Sequence, residues 1–301
     1  MIPKERVIRA LCHEEPDRVP TGEIGIDYPI TELTLGRRTF YRAKWREMVA
    51  LWEGHRDEVV ESYKRDIVAL VRKFELDFVP VFLVPSKKAE VRKPRFIDRY
   101  TWEDEEGRIW RYSPQSGGSP ICISEREAAM DDLKEPEPFE PDDSELELVR
   151  HVVKELGGTH FILGRGGDGS FPCTGGMASF LMRMITEPEF VKRATHIATE
   201  RAIQINNLLL DEGCDAVLPG SDFASAQGPM MSPQHFREFI FPSIRHMVEA
   251  AHARGKFIIK HTDGNILPIM DMLIETGIDG WHGIQPSIGM DLKMLKESIY
   301  P

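Results

Sequence analysis

The chain has 301 residues, of which 41% are hydrophobic and 29% charged, a balance typical of a folded protein rather than a disordered one. Its 38 Lys and Arg against 49 Asp and Glu give a formal net charge of -11. A field of that sign repels nucleic acid and anionic membranes, so we expect neither as a partner. The sequence has no Cys-x-x-Cys pair, no signal-peptide core and no apolar run of the roughly 20 residues that span a bilayer. These features predict a cytoplasmic protein.

The first part of the chain predicts two strands and three helices, one over residues 4–14 and two after the extended stretch at 22–26, of which the second, at about 56–74, is the clearer. Apolar residues recur every three to four positions over residues 4–14 and more clearly over 56–74, as in amphipathic helices. Residues 22–26 follow a proline-containing break and predict an extended strand. The nearly continuous apolar run at 77–84 predicts a strand that is buried on both faces.

Two segments interrupt this pattern. Within residues 89–113, apolar and aromatic stretches flank Glu105-Glu106-Gly107, which predicts a β-hairpin inserted at the surface. Residues 134–141 are rich in proline and glutamate and predict an irregular acidic tether. Asp142 to Ser144 can cap the helix that follows.

From residue 145 onwards, predicted helices and short apolar strands alternate. The helices fall at 145–156, 175–185, 188–212, 233–253 and 266–276, and the strands at 160–163, 215–218, 256–260 and 279–284. This alternation predicts right-handed βαβ units around a parallel sheet.

The strand count predicts the fold class. With 22–26 and 77–84 there are six candidate strands, whereas a closed barrel has eight. The sequence stops just inside the helix after the sixth strand. We therefore expect one α/β domain over residues 1–301, a TIM-type (β/α)8 barrel that is truncated at its C-terminus, with about six βα units, N-terminal helices and an inserted hairpin.

Catalytic groups of such a barrel gather at the carboxyl ends of its strands. The polar residues that follow the predicted strands are Asp27, Tyr28, Arg165, Asp168, Ser221, Asp222, Gln227, His261, Asp263, His282 and Gln285. His261 and Asp263 stand out, because residues two positions apart can face one pocket, where an imidazole and a carboxylate could share a proton or a divalent metal.

Each of these residues also has an ordinary structural interpretation. Asp263 can cap the helix near residue 266, and Asp222 can form an Asx-turn. His282 can be a hydrogen-bonded core histidine beside Trp281. The glycine-rich loop at 164–169 can expose N–H groups to an anion or simply connect a strand to a helix. Spacing alone leaves these alternatives open.

Five short segments, in order along the chain, carry a resemblance to a known superfamily. They are Ala10-Leu-Cys-His-Glu-Glu-Pro-Asp-Arg-Val-Pro20, Gly213-Cys-Asp-Ala-Val217, Gly228-Pro-Met-Met-Ser-Pro233, Lys260-His-Thr-Asp-Gly-Asn265 and Gln285-Pro-Ser-Ile-Gly-Met-Asp291. The ordered set resembles the uroporphyrinogen decarboxylase and corrinoid-dependent methyltransferase superfamily. The resemblance implies a (β/α)8 barrel and one of two activities.

The resemblance departs from both activities at specific positions. The decarboxylases carry Arg-Gln-Ala-Gly-Arg-Tyr after the first strand, where this chain reads Glu23-Ile-Gly-Ile-Asp-Tyr28, and acids there would repel a polycarboxylate porphyrinogen. The zinc methyltransferases carry His-x-Cys after the fifth strand and a further Cys near the C-terminus, which here would lie beyond residue 301. This chain has His261 and, at the Cys position, Asp263, a harder ligand that can still bind zinc.

Our leading hypothesis from the resemblance is a methyltransferase with a corrinoid protein or methylcobalamin as co-substrate. His261 and Asp263 would activate the methyl donor or acceptor, directly or through zinc. Asp222 would help to orient the substrate, and the remaining residues divide into proton-transfer groups (Asp27 and His282) and substrate-binding groups (Tyr28, Arg165, Gln227 and Gln285).

Two alternatives stay open. One is a cofactor-free decarboxylase that acts on a porphyrinogen or a smaller acid, in which Arg165 with Arg37 or Arg38 would supply the cationic clamp. The other is a non-catalytic fragment that binds a corrinoid or another ligand. The sequence does not indicate an oligomeric state.

Overall fold

The computed structural model describes residues 1–90, 92–113 and 120–299. Val91, in the segment predicted as a hairpin, and the last two residues of the chain lie outside this range. The chain divides into two compact units. The first comprises Met1–Glu127 and Glu140–Ile162, and the second comprises Ala128–Phe139 and Leu163–Pro301.

The first unit begins with helices that bury apolar stripes. They are α1 (Pro3–Leu11), α2 (Tyr28–Leu35), α3 (Trp45–Trp52) and α4 (Arg56–Phe74). Helix α4 has the bounds that its periodicity predicts, and its Val59 and Val60 are fully buried. Acidic residues occupy the first turn of α4 and basic residues the last, which favours the helix dipole.

The strands of the first unit come after α4. They are β1 (Phe78–Val81), β2 (Arg95–Asp98), β3 (Thr101–Glu103), β4 (Ile109–Tyr112), β5 (Pro120–Ser124) and the first half of β6 (Phe161–Gly164), which follows α5 (Glu147–Leu156). Strands β2 to β5 form an antiparallel sheet in chain order. The segment predicted as one hairpin therefore belongs to a four-stranded sheet, in which β3 and β4 flank the turn at Gly107.

Aromatic rings hold this sheet against α3. The rings of Trp45 and Trp52 lie 5.9 and 5.2 Å from that of Trp102, which is buried. Phe96 packs edge-on to both helix tryptophans. Such edge-to-face contacts add to the apolar area that the rings bury, so the aromatic residues seen in the sequence anchor the insertion.

Residues 22–26 do not form the predicted strand. Only Gly22 makes a bridge, to Phe78. The ring of Phe78 occupies the space beside Gly22, and the side chain of Arg42 covers Gly25, so side chains of other segments lie where a regular ladder would run. The strand predicted at 22–26 is therefore wrong, because beyond Gly22 the segment is not paired with a neighbouring strand.

An ion network ties the N-terminal motif to the beginning of β1. The buried carboxylate of Asp77 accepts hydrogen bonds from Arg6, from Arg18 Nη1 (2.7 Å) and from the backbone N–H of Thr21 (2.7 Å). Burial by itself would raise the pKa of Asp77, but these donors outweigh it and hold the pKa below the usual value. Asp17, also in the motif, pairs with Arg6. The motif at 10–20 therefore has a structural role.

The second unit contains the regular parallel part of the sheet. Its helices are α6 (Met177–Thr186), α7 (Pro188–Asp211), α8 (Pro233–His235), α9 (Phe241–His252), α10 (Met270–Glu275) and α11 (Leu292–Ile299). Its strands are the second half of β6, β7 (Ala216–Val217), β8 (Ala224–Ser225), β9 (Gly228–Pro229), β10 (Phe257–His261) and β11 (Gly280–His282). Within this unit β6, β7, β10 and β11 are parallel neighbours in that order.

The acidic tether packs along α7. The backbone N–H of Phe139 donates to Gln204 Oε1 (2.6 Å), and the guanidinium of Arg201 lies 4.2 Å from the centre of the Phe139 ring. Glu135 pairs with Arg193 on the same helix. The prolines prevent regular structure here, but the segment is held by these side chains.

The glycine-rich loop after β6 approaches α7 closely. The N–H of Gly167 donates to Asn206 Oδ1 (3.0 Å), and Asn206 Nδ2 donates to the Gly167 carbonyl (3.1 Å). A Cβ on Gly169 would lie 2.2 Å from the backbone nitrogen of Thr199. The glycines therefore serve strand-to-helix packing, rather than presenting the Gly167 N–H to an anion.

No helix in the described residues is both long enough and apolar enough to cross a membrane.

We predict that Gly169→Ala destabilises the protein, because its methyl group would enter the backbone of α7. Overpacking of this kind costs about 1–3 kcal/mol in the free energy of unfolding, which urea denaturation measures. Gly158→Ala is the matched control, since a Cβ at Gly158 has no neighbour within 4 Å. Equal stability of the two variants would contradict the close packing of this loop.

Candidate active site

Parallel pairing brings the two histidines of the predicted site together. His261 is the last residue of β10 and lies in register with His282, the last residue of β11. On the other side of β10, His261 forms a parallel bridge with Gly220, two residues before Asp222. The loops that carry Asp222, Asp263 and His282 therefore leave the sheet at the same edge, as the sequence predicts.

The side chains converge as well as their strands. Asp222 Oδ1 lies 3.5 Å from His261 Nε2 and accepts a hydrogen bond of 2.9 Å from the backbone N–H of Asp263. His261 Nδ1 lies 2.8 Å from His282 Nδ1. We call Asp222, His261 and Asp263 the triad. Its three ligand atoms all lie within 4.8 Å of one another.

The contact between the imidazoles constrains their protons. A hydrogen bond between two Nδ1 atoms needs a proton on one and a lone pair on the other. If His261 Nδ1 donates and its ring is neutral, His261 Nε2 has a lone pair that can accept a proton or bind a metal. If His282 Nδ1 donates instead, His261 Nε2 can carry a proton and donate it towards Asp222. The pair can thus present either form to a ligand.

The surroundings keep His282 neutral. Burial lowers the pKa of His282 below its usual value of 6.5, and the positive charge of Arg165 acts in the same direction. Asp263 opposes this effect only in part. A neutral imidazole at neutral pH can accept a proton, which suits His282 to proton transfer.

The triad has the composition of a metal-binding group. One imidazole and two carboxylates are ligands that zinc and harder divalent cations accept, at about 2.0–2.2 Å for zinc. The donors would have to move closer together to reach those distances. Asp222 is exposed and sits on a loop, which leaves room for that movement. The residues present therefore fit a divalent metal.

A buried ion pair lies beside the triad. Lys260 Nζ is 2.9 Å from Asp168 Oδ2, and the side chains are 0% and 5% exposed. Asp168 Oδ1 accepts hydrogen bonds from the backbone and hydroxyl of Ser170. Burial opposes ionisation of Asp168, but the charge of Lys260 and the hydrogen bonds from Ser170 together outweigh burial and lower the pKa of Asp168.

Sequence reasoning did not assign a role to Lys260. Its signal was available, because a lysine in the apolar strand Phe257–His261 must either reach solvent or find a charged partner. Asp168 was a candidate rim residue without a partner. Only the fold shows that the two residues meet.

Two residues that were predicted to bind substrate make hydrogen bonds within the protein. Gln285 Oε1 accepts a hydrogen bond of 2.8 Å from the N–H of Gly264, the residue after Asp263. Gln227 hydrogen-bonds Ser225 in the exposed turn between β8 and β9. Gln285 thus supports the loop of the triad, and a substrate-binding role for either residue stays a prediction.

Asp27 and Tyr28 belong to the first unit. Asp27 precedes α2 and pairs with Arg42 Nε (2.8 Å) and Lys44 Nζ (2.6 Å). Burial acts against its ionisation, but the two cations lower the pKa of Asp27 overall. The Tyr28 ring lies under the guanidinium of Arg46. The roles of Asp27 in proton transfer and of Tyr28 in substrate binding stay predictions.

Arg37 pairs with the buried Asp66. Its role as a cationic clamp also stays a prediction.

Comparison with known proteins agrees with this architecture. The profile of the family Uroporphyrinogen decarboxylase (URO-D) matches residues 114–294, more than half of the chain. The chain therefore belongs to the URO-D family. Its structure is similar to that of a methyltransferase from Methanosarcina mazei, with a TM-score of 0.72, 19% identity, and coverage of 100% of this chain and 80% of that one. No curated protein sequence matches the chain.

These comparisons confirm two expectations. The α/β fold of the TIM-barrel type is the fold of the URO-D family, and the structural similarity is high enough to show a shared fold. Membership of the family also confirms the resemblance carried by the short motifs. At 19% identity the similarity to the methyltransferase shows fold alone.

We predict that Gln285→Ala loosens the loop of the triad, because the Gly264 N–H loses its acceptor. A hydrogen bond of this kind contributes about 0.5–1.5 kcal/mol, so exchange of the Gly264 amide with deuterium should speed up by as much as roughly tenfold. Gln285→Glu keeps an oxygen acceptor and should exchange at the wild-type rate. Unchanged exchange in Gln285→Ala would show that this contact does not hold the loop.

Proposed function

We propose that this protein is a methyltransferase that transfers a methyl group to or from a corrinoid protein or methylcobalamin. The single observation that carries the proposal is the convergence of Asp222, His261 and Asp263 at the edge where β7 and β10 end. A site with an imidazole and two carboxylates can bind and deprotonate a heteroatom nucleophile, which is what methyl transfer to a thiol, alcohol or amine requires.

The family narrows the choice of chemistry. URO-D proteins share the barrel, and the structural relative from Methanosarcina mazei is a methyltransferase. The place after the first predicted strand bears acids rather than the arginines that the resemblance associates with porphyrinogen binding. Methyl transfer is thus better supported than decarboxylation of a porphyrinogen.

Each residue near the triad has a role that follows from its contacts. His261 and Asp263 bind the heteroatom of the methyl acceptor or donor, and Asp222 orients both through its carboxylate. His282 accepts the proton that the heteroatom loses, because it is neutral at neutral pH and hydrogen-bonded to His261. Arg165 adds a positive charge near His282 and can attract an anionic group of the substrate.

Zinc is the cofactor that this donor set suits best among those the resemblance implies. His261, Asp222 and Asp263 would hold it. When bound, a zinc ion supplies Lewis acidity that lowers the pKa of a thiol or alcohol. Because the ligands are carboxylates where the resemblance has thiolate, the site should bind zinc less tightly than a His-x-Cys site.

We predict that the protein binds zinc through the triad. His261→Ala should weaken zinc binding by more than the roughly 10–100-fold that changes in supporting residues cost, as measured by competition with a fluorescent chelator. Asp263→Cys should tighten it, because thiolate is the softer ligand. His196→Ala removes a half-exposed histidine on α7 and is the matched control. If His261→Ala binds zinc like the wild type, the triad is not the metal site.

We predict that the protein demethylates methylcobalamin in the presence of a methyl acceptor. The loss of methylcobalamin absorbance is followed with a panel of thiols, alcohols and amines, and His282→Gln should lower kcat by about 10²–10⁴, the contribution of a positioned proton acceptor. His196→Ala should keep the wild-type rate. Absence of turnover with every acceptor, together with decarboxylation of uroporphyrinogen, would replace the proposal with the alternative activity.

A further inference from the structure

Lys260 lies in β10, and among the described residues it is the only lysine that is buried. A buried ammonium group is costly unless charge and hydrogen bonds compensate it. Its Nζ atom is 2.9 Å from Asp168, donates to the carbonyl of Ser221 at 3.0 Å and donates to the carbonyl of His261. It also lies 4.5 Å from the centre of the Phe223 ring.

These contacts join the loops after three neighbouring strands. Asp168 follows β6, Ser221 follows β7, and His261 ends β10. Two of the three partners of Lys260 lie at the triad. Ser221 immediately precedes Asp222, and His261 is itself a member of the triad. A single ammonium group therefore links the backbone next to Asp222 to the backbone of His261, in addition to the bridge between Gly220 and His261.

Other hydrogen bonds join the same segments, among them that from the N–H of His261 to the Pro219 carbonyl (2.9 Å). The N–H of Phe223 donates to Thr262 Oγ1 (3.1 Å), and the N–H of Asp263 donates to Asp222 Oδ1. The last of these bonds is made by the carboxylate of Asp222 itself and orients that side chain. The hydrogen bonds of Lys260 use backbone carbonyls and leave every ligand atom of the triad accessible.

We infer that the buried Lys260–Asp168 pair is a positioning device that keeps the backbone segments of Asp222, His261 and Asp263 together, so that one metal ion can reach all three side chains. This inference rests on the proposed metal-binding role of the triad. Asp168 holds the ammonium group beside the two carbonyls, and Lys260 links the segments to which these carbonyls belong. Neither residue touches the substrate.

A buried ion pair can also contribute to stability alone. A double substitution distinguishes that role from the positioning role, because it can restore stability without restoring the hydrogen bonds of Lys260. Lys260→Met leaves Asp168 charged and unpaired in the interior, which destabilises the fold. Adding Asp168→Asn removes that charge and keeps the Oδ1 acceptor for Ser170, so stability should recover. The hydrogen bonds from Lys260 to Ser221 and His261 are still missing in the double variant.

The experiment compares zinc affinity with stability in the full chain. Lys260→Met combined with Asp168→Asn should unfold at nearly the wild-type urea concentration yet bind zinc about 10–100-fold more weakly, and the visible spectrum of its cobalt-substituted form should differ from the wild type. Lys256→Met is the matched control, because Lys256 precedes β10 and donates to the Cys214 carbonyl at the opposite end of the strand. It should bind zinc like the wild type.

The outcomes separate this inference from the proposed function. Wild-type zinc affinity and an unchanged cobalt spectrum in the double variant would overturn the positioning role and leave the triad intact. Weakened zinc binding in Lys256→Met to the same degree would also overturn it, since the effect would then be general to the strand. If the wild-type protein binds no zinc, the metal role of the triad fails, and the inference fails with it.

Discussion

The register between β10 and β11 is the constraint on which the site depends. Parallel strands whose last residues lie in register deliver their side chains at one edge, and here those residues are His261 and His282. A shift of β11 by one position would turn the imidazole of His282 to the other face of the sheet, away from His261. The hydrogen bond between them follows from this pairing, and the bridge between Gly220 and His261 brings Asp222 close to His261.

The electrostatics of the site differ from those of the chain as a whole. The protein has a large negative net charge, and two of the three triad residues are carboxylates. The positive charge of Lys260 nevertheless acts on Asp222, and that of Arg165 acts on His282. This balance lets carboxylates and a neutral imidazole coexist within a few ångströms. An arrangement of this kind suits proton removal and cation binding better than it suits the binding of a polyanionic substrate.

Asp263 distinguishes this chain from the His-x-Cys pattern that its motif resembles. A carboxylate at that position keeps the charge of a thiolate but is a harder ligand and a better hydrogen-bond acceptor. Two hydrogen bonds hold the loop of Asp263. The N–H of Gly264 donates to Gln285, and the N–H of Asp263 donates to Asp222. The site therefore has the imidazole of the resembled pattern together with oxygen donors in place of the thiolate.

Local patterns in the sequence were sufficient for most elements of the fold. Helix α4 was predicted to the residue, because its apolar spacing is a property of the chain itself. The strands around 160–163 and 256–260 were predicted within one residue at each end, since buried parallel strands are continuous apolar runs. The false strand at 22–26 and the unpredicted β5 show the limit, because pairing depends on what lies beside a segment.

The sequence by itself determined which residues could act, and the tertiary structure decided which of them meet. Strand ends are visible as the points where apolar runs stop, so His261, Asp263, Asp222 and His282 could be named in advance. The Nδ1 contact of the histidines, the support from Gln285 and the pairing of Lys260 with Asp168 could not. These contacts join residues 21 to 92 positions apart in the chain, and distances between side chains on different strands are set by register and packing, which no local pattern encodes.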